Sequence, residues 1–213
     1  MIEIDGPLPR YARVLNFLPE EEVRQLFEWA LSTRHLFRPA KVSTAQPRLD
    51  TTKRIALLSA KLGPLEGQLR ERLSGVLPQV LANTGTAGWS PIDLELQLAA
   101  HGHGAYYRPH VDTEIGTDRQ STDGPREVRV LSAVYYFHAH PQAFTGGQIR
   151  LFRFGPVPGV QEPQQARHVD LEPTRNSLVV FPSWVPHEVR PVSVPTGDFA
   201  DYRFALNCWY CRT

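Results

Sequence analysis

Tyr106-Tyr-Arg-Pro-His-Val-Asp112 is the stretch on which the reading of this chain turns. His110 and Asp112 stand two residues apart. Two residues is the repeat of a β-strand, so an extended backbone points both side chains to one face. His187 follows 75 residues after Asp112, within Pro186-His-Glu-Val-Arg-Pro191. Arg203 comes 16 residues after that histidine and opens Arg203-Phe-Ala-Leu-Asn-Cys-Trp-Tyr210. Two histidines and one carboxylate make a metal-ligand set with positions left open, provided the chain between them folds back on itself.

The flanking periodicities describe such a scaffold. Asp93-Leu-Glu-Leu-Gln-Leu98 alternates apolar and polar residues at period two. Val128 to Phe137 is largely apolar, as in a strand buried on both faces. Gln148–Phe152, Ser177–Phe181, His187–Val194 and Arg203–Tyr210 add further strands, with turn signals at 101–104, 146–147 and 174–176. Upstream, Tyr11–Phe17 suits an early strand. Pro19 followed by Glu20, Glu21 and Glu22 marks a helix N-terminus, and Val23, Leu26, Phe27, Ala30 and Leu31 give it one apolar stripe. A second helix spans 65–77, with Leu65, Leu69, Leu73, Val76 and Leu77 on one face. Pro78 is expected to kink it and Gly85 to end it. Residues 36–60 read as loops with one or two short strands. The polar segments 113–128 and 155–166 read as exposed loops. The expected fold is mainly β with flanking helices: a jelly-roll or cupin-like double sheet, its N-terminal helices packed on the outer sheet. One domain is expected over 1–213, with 1–91 as a supporting region and 92–213 as the catalytic core.

Composition narrows the function classes. The net charge of +1 offers no electrostatic case for nucleic acid or an anionic membrane as partner. No basic segment followed by an apolar run stands at the N-terminus. No apolar stretch reaches the ~20 residues of a membrane span, and a cytoplasmic location is expected. Cys208 and Cys211 form a C-x-x-C, but residues three apart on a strand face opposite sides, so they read as two unrelated thiols.

His-x-Asp alone is a weak signal, and the chain carries its own control in His168-Val-Asp170. That pair lies only 17 residues before His187, with a turn and one strand between. The first pair has several strand-like stretches before His187, enough to wrap a barrel. His110 and Asp112 are therefore the favoured ligands, and His168 and Asp170 read as surface or turn residues. A ferrous oxygenase, a zinc hydrolase and a non-catalytic cupin-like sensor all remain open on the triad alone.

A resemblance is carried by Tyr107-Arg-Pro-His-Val-Asp112, Val134-Tyr-Tyr136, Thr145-Gly-Gly-Gln-Ile-Arg-Leu-Phe152, Ser177-Leu-Val-Val-Phe181, Pro186-His-Glu-Val-Arg-Pro191 and Arg203-Phe-Ala-Leu-Asn-Cys-Trp-Tyr210. In this order they resemble the prolyl 4-hydroxylase-like branch of the Fe(II)/2-oxoglutarate-dependent dioxygenases, over roughly residues 94–210. The resemblance implies a double-stranded β-helix fold and Fe(II) at His110, Asp112 and His187, with 2-oxoglutarate and O2 as co-substrates and ascorbate as a stimulant. It implies that Arg203 anchors 2-oxoglutarate, that Tyr136 supports the same carboxylate, and that Val134 and Ile149, with Leu151, form an apolar wall. The interval from His187 to Arg203 is longer than in relatives, and Pro195–Asp201 reads as a loop insertion. Arg190, the competing cation, falls on the opposite strand face. Tyr107, Arg108, Asn207, Trp209 and His101 are the candidate substrate contacts; His101 stands where relatives often carry a tyrosine. The loop 113–128 reads either as a substrate lid or as an ordinary surface loop, and Glu114, Asp118, Arg119, Arg126 and Arg129 offer contacts for a zwitterion or peptide.

The implied reaction is hydroxylation of an unactivated C–H, with release of succinate and CO2. A prolyl residue of a peptide or protein, or a free amino acid, is the expected substrate. Tailoring of a small-molecule natural product and a sensor role are the alternatives. Retention of Asp112 favours hydroxylation over halogenation. A nucleic-acid demethylase would share the triad but fits the charge and the Arg203 strand poorly.

Overall fold

The computed structural model describes residues 9–42, 48–90, 93–113, 128–153 and 168–212. Of the two expected polar loops, 155–166 lies wholly and 113–128 almost wholly outside them, so the lid reading falls there too. The chain begins with β1 (Ala12–Leu15) and helix α1 (Glu20–Ser32), then three short strands, β2 (Arg38–Pro39), β3 (Arg54–Ile55) and β4 (Leu57–Ser59). Helix α2 (Glu66–Thr84) precedes β5 (Asp93–His101), β6 (Tyr106–His110), β7 (Val128–Tyr136), β8 (Thr145–Gly146) and β9 (Ile149–Phe152). There follow β10 (His168–Leu171), β11 (Ser177–Pro182), β12 (His187–Val189), β13 (Val192–Ser193) and β14 (Arg203–Arg212).

Most of these form two antiparallel sheets. The larger runs β1-β11-β7-β14-β5-β4-β2 and the smaller β10-β9-β12-β6-β3, with β8 and β13 pairing separately. This is the expected mainly-β jelly-roll arrangement with two helices. Residues 36–60, expected as loops with one or two short strands, carry three short strands among the described residues. Their short strands extend the large sheet through β4 and edge the small sheet through β3.

Strand alternation divides the interior into two cores. On β14, Phe204, Leu206, Cys208 and Tyr210 turn to the helices; on β7, Leu131, Ala133 and Tyr135 do the same. They meet Val23, Leu26 and Ala30 of α1 and Leu69, Leu73 and Val80 of α2, all fully or nearly fully buried. The opposite faces carry Tyr136, Ala205, Val179 and Phe181, which pack on Ile149 and Leu151 of the small sheet. The acidic first turn of α1 complements its dipole. Helix α2 continues through Pro78 to Thr84 and closes on Gly85 at φ 73°, where the cap amide bonds the Ala82 and Leu81 carbonyls. Cys208 and Cys211 are both buried, and a register irregularity separates Cys211 from Tyr210.

Asn176 ties the N-terminal strand to this frame. It adopts φ 57°, a left-handed conformation asparagine tolerates. Its side chain accepts from the Leu18 amide at 2.9 Å and from the Tyr135 hydroxyl at 3.1 Å, and donates to the Leu18 carbonyl at 2.8 Å. Asn176→Ala strands these buried groups, so it should lower unfolding free energy by about 1–3 kcal/mol. Urea unfolding checks this; a midpoint shift no larger than that of a surface alanine substitution would refute it.

Candidate active site

Cross-strand pairing assembles the site. β12 pairs antiparallel with β6, and His187 stands directly opposite His110. Their ring centroids lie 4.2 Å apart. β6 ends at His110, so Asp112 does not share its ladder as strand parity suggested; it sits on a bend two residues further. Its amide donates to the Ser183 carbonyl at 3.0 Å, and its Oδ2 accepts from the Ser132 hydroxyl at 2.7 Å. Ser132 in turn contacts Ser183 Oγ at 2.9 Å. The carboxylate reaches His110 Nε2 at 3.6 Å and His187 Nε2 at 3.4 Å.

The tautomers are set by the backbone. His110 Nδ1 donates to the Arg108 carbonyl at 2.8 Å and His187 Nδ1 to the Val185 carbonyl at 2.9 Å. Each Nε2 is left with its lone pair directed to the shared centre. One nitrogen of each histidine and one carboxylate oxygen lie within 4.8 Å of one another. Ligands bonded at ~2 Å to one ion sit that close, so the set fits a metal with little rearrangement. Burial, reinforced by the charge of His187, drives His110 down to about 3, so the ring is neutral and able to ligate. Burial alone would raise Asp112, but its neighbours His187 and His110 and the Ser132 hydrogen bond outweigh it and hold the carboxyl well below its usual range. The second His-x-Asp pair is placed elsewhere. Asp170 is gripped by Arg150 through two bonds of 2.7 Å on β10, where His168 and Asp170 are exposed.

A cavity of about 270 Å³ opens from this cluster and is lined in part by Val134, Ile149, His101 and Arg203. Arg203 is 1% exposed. Its Nε donates to the Gly147 carbonyl at 2.7 Å, one Nη to His101 Nδ1 at 3.2 Å and the other to the Tyr136 hydroxyl at 3.3 Å. All three acceptors are neutral. Burial and the Arg203 charge hold His101 well below the ordinary imidazole range, which leaves Nδ1 free to accept. Among the described residues no carboxylate pairs with this buried cation, an arrangement that fits an anionic ligand. His101 is the last residue of β5 rather than part of a turn, and Arg203 is its cross-strand partner. Tyr136 lies behind the guanidinium, fully buried, and its hydroxyl retains a hydrogen to donate onward.

Tyr107, Asn207 and Trp209 line the same cavity, together with Arg129. Arg108 does not: it is exposed, and its Nε bonds the Thr52 carbonyl at 2.8 Å. Arg54, Lys41 and Gln97 also line the cavity and were not among the sequence candidates. The Arg54 position carried no signal, because a two-residue strand has no period to read.

Residues 96–211 match the 2OG-Fe(II) oxygenase superfamily. An uncharacterised PKHD-type hydroxylase of Synechocystis is 30% identical over 199 residues, covering 93% of this chain; the chain spans 62% of that relative's length. A prolyl-4-hydroxylase of Pseudomonas putida superposes with a TM-score of 0.63 at 26% identity, over 95% of this chain and 92% of that one. A prolyl hydroxylase of Trichoplax adhaerens, solved with a peptide of the hypoxia-inducible factor oxygen degradation domain, shares the fold. Its TM-score is 0.61 at 21% identity, over 95% and 83% of the two chains.

Gly147 sets how deep Arg203 sits. A Cβ on it would lie 2.5 Å from Arg203 Cδ, and its φ of +72° strains any other residue. Gly147→Ala should therefore displace the guanidinium and weaken 2-oxoglutarate binding about tenfold or more, measured by calorimetry. Unchanged affinity in a folded variant would remove Arg203 from that role.

Proposed function

This chain belongs to the 2OG-Fe(II) oxygenase superfamily, in its prolyl 4-hydroxylase-like branch, and we propose that it hydroxylates an unactivated C–H of a prolyl residue or a free amino acid, releasing succinate and CO2. It is an enzyme, and Fe(II), 2-oxoglutarate and O2 are its cofactor and co-substrates. The observation that carries the proposal is one cavity holding both the His110–Asp112–His187 cluster and the Arg203 guanidinium. Bound iron supplies O2 activation, with 2-oxoglutarate as reductant: one oxygen atom enters the C–H bond and the other enters succinate.

The protein's own part is binding and orientation. His110 and His187 offer Nε2 while their Nδ1 hydrogens stay on backbone carbonyls. Ser132 donates to Asp112 and holds the carboxylate toward the centre. Arg203 grips the distal carboxylate with parallel charge-assisted bonds, strengthened by removal from water. Its Nε stays committed to Gly147, so the remaining guanidinium hydrogens and the Tyr136 hydroxyl meet the ligand. Val134 and Ile149 exclude water from its carbon chain. Tyr107, Asn207 and Trp209 face the substrate side of the same cavity. The prolyl preference draws on the Pseudomonas and Trichoplax enzymes. Residues 1–213 work as one oxygenase unit in this reading, with the core at 92–213. No described helix is long and apolar enough to cross a membrane, and a cytoplasmic location suits the co-substrate.

Succinate formation from 2-oxoglutarate by the Fe(II)-loaded protein, with and without prolyl peptides and amino acids, tests the proposal. Substrate-dependent succinate, matched by a hydroxylated product, is the expected result. His187→Ala and Asp112→Ala should lose iron by metal analysis and lose turnover beyond the ~10–100-fold typical of an outer-shell change. Arg203→Met should raise the KM for 2-oxoglutarate about tenfold or more while iron content holds. Tight zinc retention with no 2-oxoglutarate consumed under any condition would sink the proposal.

A further inference from the structure

We propose that Arg54 is a second anion anchor, holding a carboxylate on the substrate and making the enzyme selective for acids over their neutral counterparts. This rests on the oxygenase reading above and names the substrate class for that site.

Arg54 lies on β3, where it pairs with Tyr107 of β6. Its guanidinium stands 4.5 Å over the Tyr107 ring, and that ring stacks on His110 at 3.5 Å and 21°. The arginine therefore lines the cavity on the side of a proposed iron ligand. Its Nε is buried without a hydrogen-bond partner, and among the described residues no acidic side chain forms an ion pair with it. A buried cationic donor left unmade is costly, and a planar fork of N–H groups matches a carboxylate.

The other cavity arginines are accounted for. Arg129 pairs with Glu95 at 2.5 Å and lies 3.9 Å over the Trp209 ring. Arg203 is committed to the co-substrate. The lining carries four cationic side chains, Lys41, Arg54, Arg129 and Arg203, against one acid, Asp112. Loading the site does not correct this, because Fe(II) and the 2-oxoglutarate dianion cancel. A neutral peptide backbone leaves Arg54 without an anionic partner; a carboxylate supplies one. That carboxylate belongs to a free amino acid or to an acidic side chain beside the target residue. Burial, aided slightly by the charge of Arg129 and opposed by those of Tyr107 and Asp112, pushes the Arg54 guanidinium below its ordinary value.

Calorimetric titration of the Fe(II)- and 2-oxoglutarate-loaded protein without oxygen tests this. One arm compares L-proline with L-prolinamide; the other compares doubly blocked Pro-Asp with Pro-Asn. In one arm the acid should bind about tenfold tighter than its amide. Arg54→Met should reduce that preference to about twofold or less, with 2-oxoglutarate affinity unchanged. Arg54→Gln carries the same expectation at similar length, and Arg54→Lys should keep part of the preference. The proposal fails if neither arm shows a preference, if the preference survives Arg54→Met, or if the variant loses 2-oxoglutarate affinity instead. Loss of metal-dependent 2-oxoglutarate binding by the unaltered protein would sink the oxygenase reading as well. Intact binding without preference would sink this inference alone.

Discussion

The pairing of β12 with β6, which sets His187 opposite His110, is the contact on which the candidate site depends. Antiparallel partners stand only ~4.5–5.5 Å apart, so register alone brings two imidazoles within reach of one ion. Side-chain period is two, so a slip of one residue would turn one ring to the opposite face. The rest of the frame holds that register. β9 flanks β12 on its other side, and β3 covers the far edge of β6. Ser132 and Ser183, from the large sheet and the segment after β11, reach across to Asp112. The three ligands are thus supported from both sheets, and the hydrogen bonds that orient them end on backbone carbonyls or buried hydroxyls rather than mobile side chains.

A second constraint is the charge stored at the inner end of the cavity. Arg203 is fully enclosed and bonded only to neutral acceptors. Burying a cation that way costs stability, and the cost is offset when an anion arrives. Gly146 and Gly147 belong to the same device. Both hold positive φ, and Gly147 lets the arginine pass where a Cβ would block it. His101 completes the set. A neutral imbalance-free acceptor at that position lets the guanidinium keep its charge for the ligand.

Local patterns were informative where they were long. Both helices, the alternating β5, the apolar β7 and the β14 strand could be read from periodicity, because burial of one face imposes a repeat on the sequence. Parity on β14 separated Arg203, Ala205, Asn207 and Trp209 from the helix-facing residues, and the burial pattern follows that division. Parity misled at Asp112, where the strand stops two residues early and the Asp112 amide bonds the Ser183 carbonyl instead. It was silent on residues 36–60, whose strands are two or three residues long.

By itself, the sequence determined the mainly-β class, the helix stripes and which residue types stood ready to bind a metal and an anion. These are local properties, written in spacing and side-chain chemistry. Only the tertiary structure decided that Asp112 meets the two histidines from beyond the end of its strand, that Arg108 turns away, and that Arg54 enters the cavity. Those facts depend on strand order and register between segments far apart in the chain, and no local repeat encodes them.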